Sequence, residues 1–486
     1  MVLLIISLII TIYAYLLIRF GIHMFQQNGY KNAVHIKWIN KNRLRLYKDA
    51  LSTKPVKKPL VYTPRVIRLL VTTVLLFVAG CIINRFFGNR FTLFIFVLVY
   101  TFILGPYLPV IANIINSPVE KSISNGFIRK AKRALKDCPD LTIIGVTGSY
   151  GKTSVKFFLN TLLSSKYEVL ATPESYNTPM GVVKTINNFL KPTHKIFICE
   201  MGARNVGDIK ELCDIVHPSH GIITSIGAQH LESFKTQDNI INTKFELADA
   251  LPENGHLFLN YDNEFISGHN KNEKAVTYSA EGNGKYNASE IKTSIRGTAF
   301  TVTAPDGEKE EFSMKLIGSH NVINVLGAIA VANTLGIRLN ELKAPVRLLK
   351  PIEHRLNMID KNGVTIIDDA YNSNPAGAKA ALETLAMFED STKIVITPGM
   401  VELGEKEDEL NEELGRQAAG AADYIILVGE KQTEAIKKGV EEEGFDKEKL
   451  IVADSFNDAM SNVYSIPGEQ HKVILLENDL PDNYLM

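Results

Sequence analysis

Residues Thr147 to Thr153 read Thr-Gly-Ser-Tyr-Gly-Lys-Thr and follow directly on the apolar run Leu141 to Val146. Gly148 and Gly151 let the backbone turn tightly enough to aim several N–H groups at one point, as phosphate oxygens require. Lys152 adds a mobile positive charge, and the Thr153 hydroxyl can ligate Mg²⁺. With Ser149, Tyr150 and Ser154 these residues make a site for a nucleoside triphosphate, read here as ATP. The spacing is the compact G-x-x-G-K-T; in the longer form G-x-x-x-x-G-K-[ST] the first glycine would stand at Val146, which cannot serve. Glu200 closes a second apolar run, Lys195 to Cys199, and precedes Met-Gly-Ala-Arg. A carboxylate at the carboxyl end of a strand, across a parallel sheet from a phosphate loop, is placed to hold Mg²⁺ directly or through water. His230, inside Gly227 to Phe234, stands at the corresponding end of the next run, and Lys244 comes fourteen residues later.

These residues need a scaffold, and the chain around them has the right rhythm. Strand-like runs at Leu141 to Val146, Lys195 to Glu200, Gly221 to Ile226 and His256 to Asn260 alternate with helical ones, which predicts a parallel sheet with crossover helices. Tyr278 to Leu316 has Gly-rich breaks and short alternating runs, so it reads as a small antiparallel addition. Asn321 to Leu335 is an apolar helix, and Pro345 and Pro351 bracket a linker. Strands at Val364 to Asp368, Lys393 to Thr397, Tyr424 to Val428, Leu450 to Ala453 and Val473 to Leu476 then give a second α/β domain. The fold class is α/β: a P-loop parallel-sheet central domain over residues 117–345 and a Rossmann-like C-terminal domain over 346–486.

Residues 1–116 form a membrane region. Val2 to Ile18, Val66 to Asn84 and Phe91 to Ile115 are apolar, and each is near the roughly 20 residues that span a bilayer. Pro106 and Pro109 would kink the third or make it re-entrant. Between Gly21 and Arg65 stand ten Lys or Arg, among them Lys54, Lys57 and Lys58, against the single acid Asp49. That excess marks a cytoplasmic loop. The topology that follows is N-terminus out, basic loop in, hairpin near Gly88 out, and catalytic region in, at the cell membrane. Trp38 and Tyr47 could lie at the lipid interface. Formal charge is zero, which points to no nucleic-acid partner, and the four cysteines show no metal-ligand spacing.

Taken together, Gly148 to Thr153, Glu200, Gly-Ala-Gln-His-Leu-Glu with His230, and Lys244 in Thr-Lys-Phe-Glu resemble the central domain of the Mur ligases. The similarity continues in Gly318 to Asn324, in Glu353-His354-Arg355, in Asp368 to Pro375 with Asn372, and in Gly399 to Gly404; the last two look like the MurF type, the UDP-N-acetylmuramoyl-tripeptide:D-alanyl-D-alanine ligases. The resemblance implies an ATP-dependent amide ligase of cell-wall precursor synthesis. A substrate carboxylate would become an acyl phosphate, and an incoming amine would displace phosphate from it. The substrates implied are a muramyl-peptide-like carboxylate and an amino acid or dipeptide such as D-Ala-D-Ala, with an envelope-synthesis complex as a further partner. The resemblance also assigns roles. Lys152 and the loop amides neutralise phosphates, with Arg355 reaching them from the hinge. Thr153 and Glu200 hold the first of two Mg²⁺ ions, and His230 helps to hold the second. Lys244 matches a lysine carbamylated by CO₂, which converts a cation into an anion that supports the second metal. Asn321 and Asn324 match an adenine-contacting helix, and Asp369 matches a ribose-binding residue. Asn177 and Thr178 match the stretch that meets the muramyl peptide. Tyr371, Asn374 and Pro375 match the loop that places the acceptor.

Two features depart from the MurF pattern. The small soluble domain that grips UDP is replaced by membrane segments, and the basic K-G-S-R loop near the end is replaced by the acidic stretch Leu476 to Asn483. A Mur-fold ligase of another envelope polymer, of the poly-γ-glutamate type, is therefore an alternative. A P-loop transporter or motor ATPase would need a separate Walker-B strand and a signature loop, which the sequence lacks, and would leave Lys244 and Asp369 without a role. A catalytically dead scaffold would not need the complete set of ATP-site residues.

Overall fold

The computed structural model describes residues 2–51, 59–87, 90–361, 363–371, 373–468 and 471–479. Lys54, Lys57, Lys58, Gly88, Asn372 and the acidic stretch from Leu480 to Asn483 lie outside them. Two compact units divide the chain after Gly126.

Among the described residues, the first unit's regular elements are all helices. Three of its stretches are long and apolar enough to cross a membrane: Leu8–Gln27, Pro64–Asn84 and Phe94–Lys136. The first lies further along the chain than the run Val2 to Ile18, inside a single helix Val2–Gln27. The third is broken at its prolines: helix Arg90–Val99 passes into a π turn, Tyr100–Leu104, and a 3₁₀ turn, Gly105–Tyr107, before Leu108–Lys136. Proline has no N–H to give and clashes with the preceding turn, so the backbone regroups there. Ile18, Ile22, Phe25, Leu69, Phe77 and Leu108 pack a common core. Helix Leu108–Lys136 is unbroken across residues 116 and 117, and beyond Gly126 its residues Ala131 and Leu135 belong to the core of the second unit.

The second unit holds two sheets. The first has nine strands in the order Val169–Ala171, Ile196–Glu200, Thr142–Thr147, His220–Ile223, Leu257–Asn260, Val276–Ser279, Tyr286–Ser294, Gly297–Thr303 and Lys309–Met314. Its first seven strands are parallel, and the last two pairings are antiparallel. The antiparallel addition is thus an extension of the same sheet. Strands such as Ile196–Glu200 are buried along their whole length, which is why they read as continuous apolar runs instead of alternating ones. Helices cover both faces, with Val155, Leu159, Val325 and Ile329 in one core and Val183, Leu212, Ile240 and Leu247 in the other. Pro345 lies inside the helix Leu339–Arg347, so the connection to the second sheet starts later than a linker bracketed by Pro345 and Pro351. The second sheet has six strands in the order Asn357–Lys361, Val364–Asp369, His471–Glu477, Ser391–Thr397, Tyr424–Val428 and Leu450–Ala453. Only the first pairing is antiparallel. The last strand in the chain is central, which brings Glu477 beside Asp369 in register.

Candidate active site

The phosphate loop lies between strand Thr142–Thr147 and helix Lys152–Leu163. Its glycines are required by space as well as by torsion. A Cβ on Gly148, at φ 150°, would sit 2.2 Å from Thr224 Oγ1; one on Gly151, at φ 77°, would sit 2.6 Å from Asn324 Oδ1. Asn324 is thereby placed against the loop. Asn321 is not free to reach outward with its whole amide, since Nδ2 donates to the Ile317 carbonyl at 2.8 Å. The loop itself is braced from the side. Ser149 N and Tyr150 N donate to Ser225, Ser149 Oγ to the Gly227 carbonyl, and Tyr150 OH to the Ala228 carbonyl. The amides of Ser149 and Tyr150 are therefore spent on bracing, and the first-turn amides of helix Lys152–Leu163, with buried Ser154 among them, are those that face outward for an anion. Lys152 Nζ donates to the carbonyls of Gly148 and Ser149 at 2.7 Å each, and burial pulls its pKa down to about 8, with Glu200 opposing the shift and Arg355 adding to it.

Glu200 is fully buried and shared by three side chains. Thr153 Oγ1 donates to Oε1 at 3.1 Å, Asn177 Nδ2 donates to Oε1 at 3.0 Å, and Lys156 Nζ lies 3.1 Å from Oε2. Lys156 also donates to the Glu174 carbonyl, so it ties the 173–178 loop to this carboxylate. Sequence reasoning missed Lys156, although it stands four residues after Lys152 on the same helix face. Thr178 caps the helix Pro179–Phe189, accepting from Gly181 N, so it fixes the loop that carries Asn177. The hydroxyl and carboxylate of Thr153 and Glu200 are hard oxygen donors of the kind Mg²⁺ takes, with water and phosphate oxygens completing its shell. Among the described residues no group of three or more His, Cys, Asp or Glu side chains could hold a metal.

His230 stands at φ 55° with Nδ1 against Glu402 of the second sheet's domain, and Arg204 Nη1 lies 3.7 Å from the other Glu402 oxygen. Burial lowers the His230 pKa, opposed by Glu402. Glu402 was quoted in the sequence only as part of Gly399 to Gly404; the structure gives it a partner. Lys244 lies in helix Gln237–Asp249, buried and 5.9 Å above the Phe234 ring. No acid forms an ion pair with it among the described residues. Burial, reinforced by Lys152, drives its pKa well below that of a free lysine. A neutral amine is the form that adds to CO₂, so the environment fits a carbamate.

The second domain brings Arg355, Asp369 and Tyr371 together. The Arg355 guanidinium stacks 4.8 Å from the Tyr371 ring centroid, and Tyr371 OH meets Ser175 Oγ of the central domain at 2.6 Å. Asp369 accepts from Leu356 N at 3.1 Å, and burial raises its pKa to about 6, with Arg355 opposing. Glu477, fully buried and hydrogen-bonded by Ser373, is pushed well above the ordinary carboxylate range by burial and then by Asp369. It was missed as a site residue, yet it carries the same signal as Glu200, a carboxylate at a parallel strand's carboxyl end. Asn374 caps the helix Pro375–Ala386 through Oδ1, which accepts from Gly377 N at 2.9 Å; only its Nδ2 is left to meet a ligand.

Comparison with known proteins agrees with this geometry. Residues 146–332 match the family model described as Mur ligase middle domain, and residues 354–476 match that described as Mur ligase, glutamate ligase domain. The UDP-N-acetylmuramoyl-tripeptide--D-alanyl-D-alanine ligase of Escherichia coli is 31% identical over 319 residues, which cover 64% of this chain and 69% of that one. The enzyme of the same name from Mycobacterium bovis is 33% identical over 300 residues, covering 60% of this chain and 58% of its own. The chain thus spans under two thirds of the mycobacterial relative's length. The crystal structure of the MurF ligase from Thermotoga maritima in complex with ADP superposes with a TM-score of 0.66 at 26% identity, covering 74% of this chain and 81% of that one.

Proposed function

The chain belongs to the Mur ligase family, and from that premise we propose that it is a membrane-anchored, ATP-dependent amide ligase that joins a cell-envelope carboxylate to an amine on the cytoplasmic face of the membrane. The observation that carries the reading is the pairing of a braced phosphate loop with Lys244, a buried lysine whose pKa burial pulls well below that of a free lysine. An ATPase that moves domains has no use for such an amine.

The chain's own groups divide the work. Bound ATP supplies the phosphoryl group that makes a carboxylate a competent acyl donor, and Mg²⁺ offsets the phosphate charge. Lys152 and the first-turn amides would hold the phosphate end, and Thr153 and Glu200 would hold a Mg²⁺. Lys156 and Asn177 keep the Glu200 oxygens aimed. The Lys244 amine bonds to the carbon of CO₂ and releases a proton to water, leaving an N-carboxylate that with His230 could support a second metal. Tyr371 and Arg355 bring the second domain's edge to the substrate loop through Ser175. By the resemblance, Asn321 and Asn324 would contact the adenine and Asp369 the ribose hydroxyls.

The donor is a muramyl-peptide-like carboxylate. The acceptor is the amine of an amino acid or dipeptide such as D-Ala-D-Ala, as the relatives' activity suggests. The test is to incubate the purified full-length protein with ATP, Mg²⁺, UDP- and lipid-linked muramyl peptides, and a panel of amines that includes D-Ala-D-Ala and diamino acids. Mass spectrometry should find an ATP-dependent amide product. Bare ATP hydrolysis with every pair would overturn the ligase reading.

A further inference from the structure

The apolar stretches of the first unit meet at the end that carries the basic connection between the first two. Gln26 exchanges hydrogen bonds with Val61 at 3.0 Å in both directions, and Asn113 donates to the Tyr30 carbonyl at 3.4 Å and to Asn32 Oδ1 at 2.9 Å. At this junction a cavity of about 450 Å³ is lined by Asn32, Asn113, Ile114, Ser117, Pro118 and Lys121. Arg65 borders it through Asn113, whose Oδ1 accepts from Nη2 at 3.5 Å, and its guanidinium is stacked 4.0 Å over the Tyr30 ring. Outside the lining, Arg65 Nε and Asn116 Nδ2 are buried with no acceptor. The one acid nearby, Glu120, is taken by Arg68 in a two-pronged pair at 2.6 and 2.9 Å. What remains is a cavity with one cation in its wall, Lys121, and a second, Arg65, beside it, at the mouth of apolar helices.

Cations kept at the edge of a bilayer without an acid partner are costly and mark a ligand's place. Arg presents a rigid fork suited to phosphate, and the stacking on Tyr30 holds that fork in one orientation. We propose that this cavity binds the phosphate headgroup of a membrane lipid, with Lys121 in its wall and Arg65, held on cavity-lining Asn113, supplying charge, Ser117 supplying a hydroxyl, and the apolar helices receiving the tail. The proposal rests on the membrane reading of these helices and is independent of the ligase reading.

The test uses the full-length protein with nanodiscs of phosphatidylcholine, with or without phosphatidate, and with inorganic pyrophosphate as a soluble anion. Phosphatidate should be retained about tenfold more strongly than phosphatidylcholine, and Arg65→Gln and Lys121→Gln should each remove most of that preference. Lys41→Gln, which removes the same charge from an exposed position of the basic region, should leave it nearly intact. Equal loss in all three variants would mean diffuse surface attraction and overturn the site. So would an unchanged preference in both Arg65→Gln and Lys121→Gln. Pyrophosphate binding as strong as that of the lipid would assign the cavity to a soluble anion instead. Carbonate-resistant membrane association, measured for every variant, tests the membrane reading separately, and unchanged circular dichroism shows that Arg65→Gln has folded.

Discussion

A lysine amine that is buried and faces no ion-paired acid is easily deprotonated, and Lys244 meets both conditions. If its carbamate supports the metal, Lys244→Ala should lower the ligase rate by about 100-fold or more, and formate or acetate should restore part of it. An unaffected variant would remove Lys244 from the site. Glu477 makes the opposite case, a carboxyl group whose pKa the fold raises. Unfolded, it would titrate near the ordinary value of about 4.3. Folded, its pKa is raised, so between the two values the native state binds the extra proton and stability falls as pH rises. Glu477→Gln should therefore melt about 2–4 °C higher than the parent at pH 8, and the two should converge near pH 4, as scanning calorimetry can show. A constant difference across that range would contradict the assignment. Lys152 and Glu200 could be proposed from residue type and spacing, whereas the roles of His230 and Lys244 came only from the resemblance to the Mur ligases. Lys156 and Glu477 were not picked out, because a lysine inside a helix and a glutamate near the chain's end have ordinary solvated readings. Their burial comes from packing across long sequence separations, and no local pattern displays that.

At the scale of elements, the phosphate loop works because its neighbours leave no room for anything larger than glycine at position 148. Gly148→Ala should weaken ADP binding by about tenfold or more and lower the melting temperature, because the new Cβ meets both the Thr224 hydroxyl and the Ser225 backbone. Calorimetric titration with ADP checks this, and wild-type affinity would mean that the loop is not held as described. The alternation of strands and helices could be read in the sequence because strands covered on both faces are continuous apolar runs. Three features resisted. The edge strand Val169–Ala171 is too short to form a run. The antiparallel strand Asn357–Lys361 is polar, although the Asn362-Gly363 pair that follows it is a hairpin signal that could have found it. The helix Leu339–Arg347 carries Pro345 in its interior, which a proline-based boundary rule excludes.

For the whole molecule, three stretches long and apolar enough to cross a membrane precede a unit that holds two sheets. The second sheet's domain reaches the candidate active site through Glu402 against His230 and Tyr371 against Ser175. The charge of the loop between the first two stretches predicts its side. Reporter fusions after Lys58 and after Gly88 should report opposite faces, with the first cytoplasmic; the same face for both would refute the orientation. The claim that organises the rest is that this chain activates a carboxylate with ATP. It is tested most directly by supplying a donor whose reacting carboxylate carries ¹⁸O and following the label by mass spectrometry during amide formation. The account predicts one ¹⁸O in the inorganic phosphate released with each amide bond. Amide product with unlabelled phosphate, or with AMP in place of ADP, would contradict it.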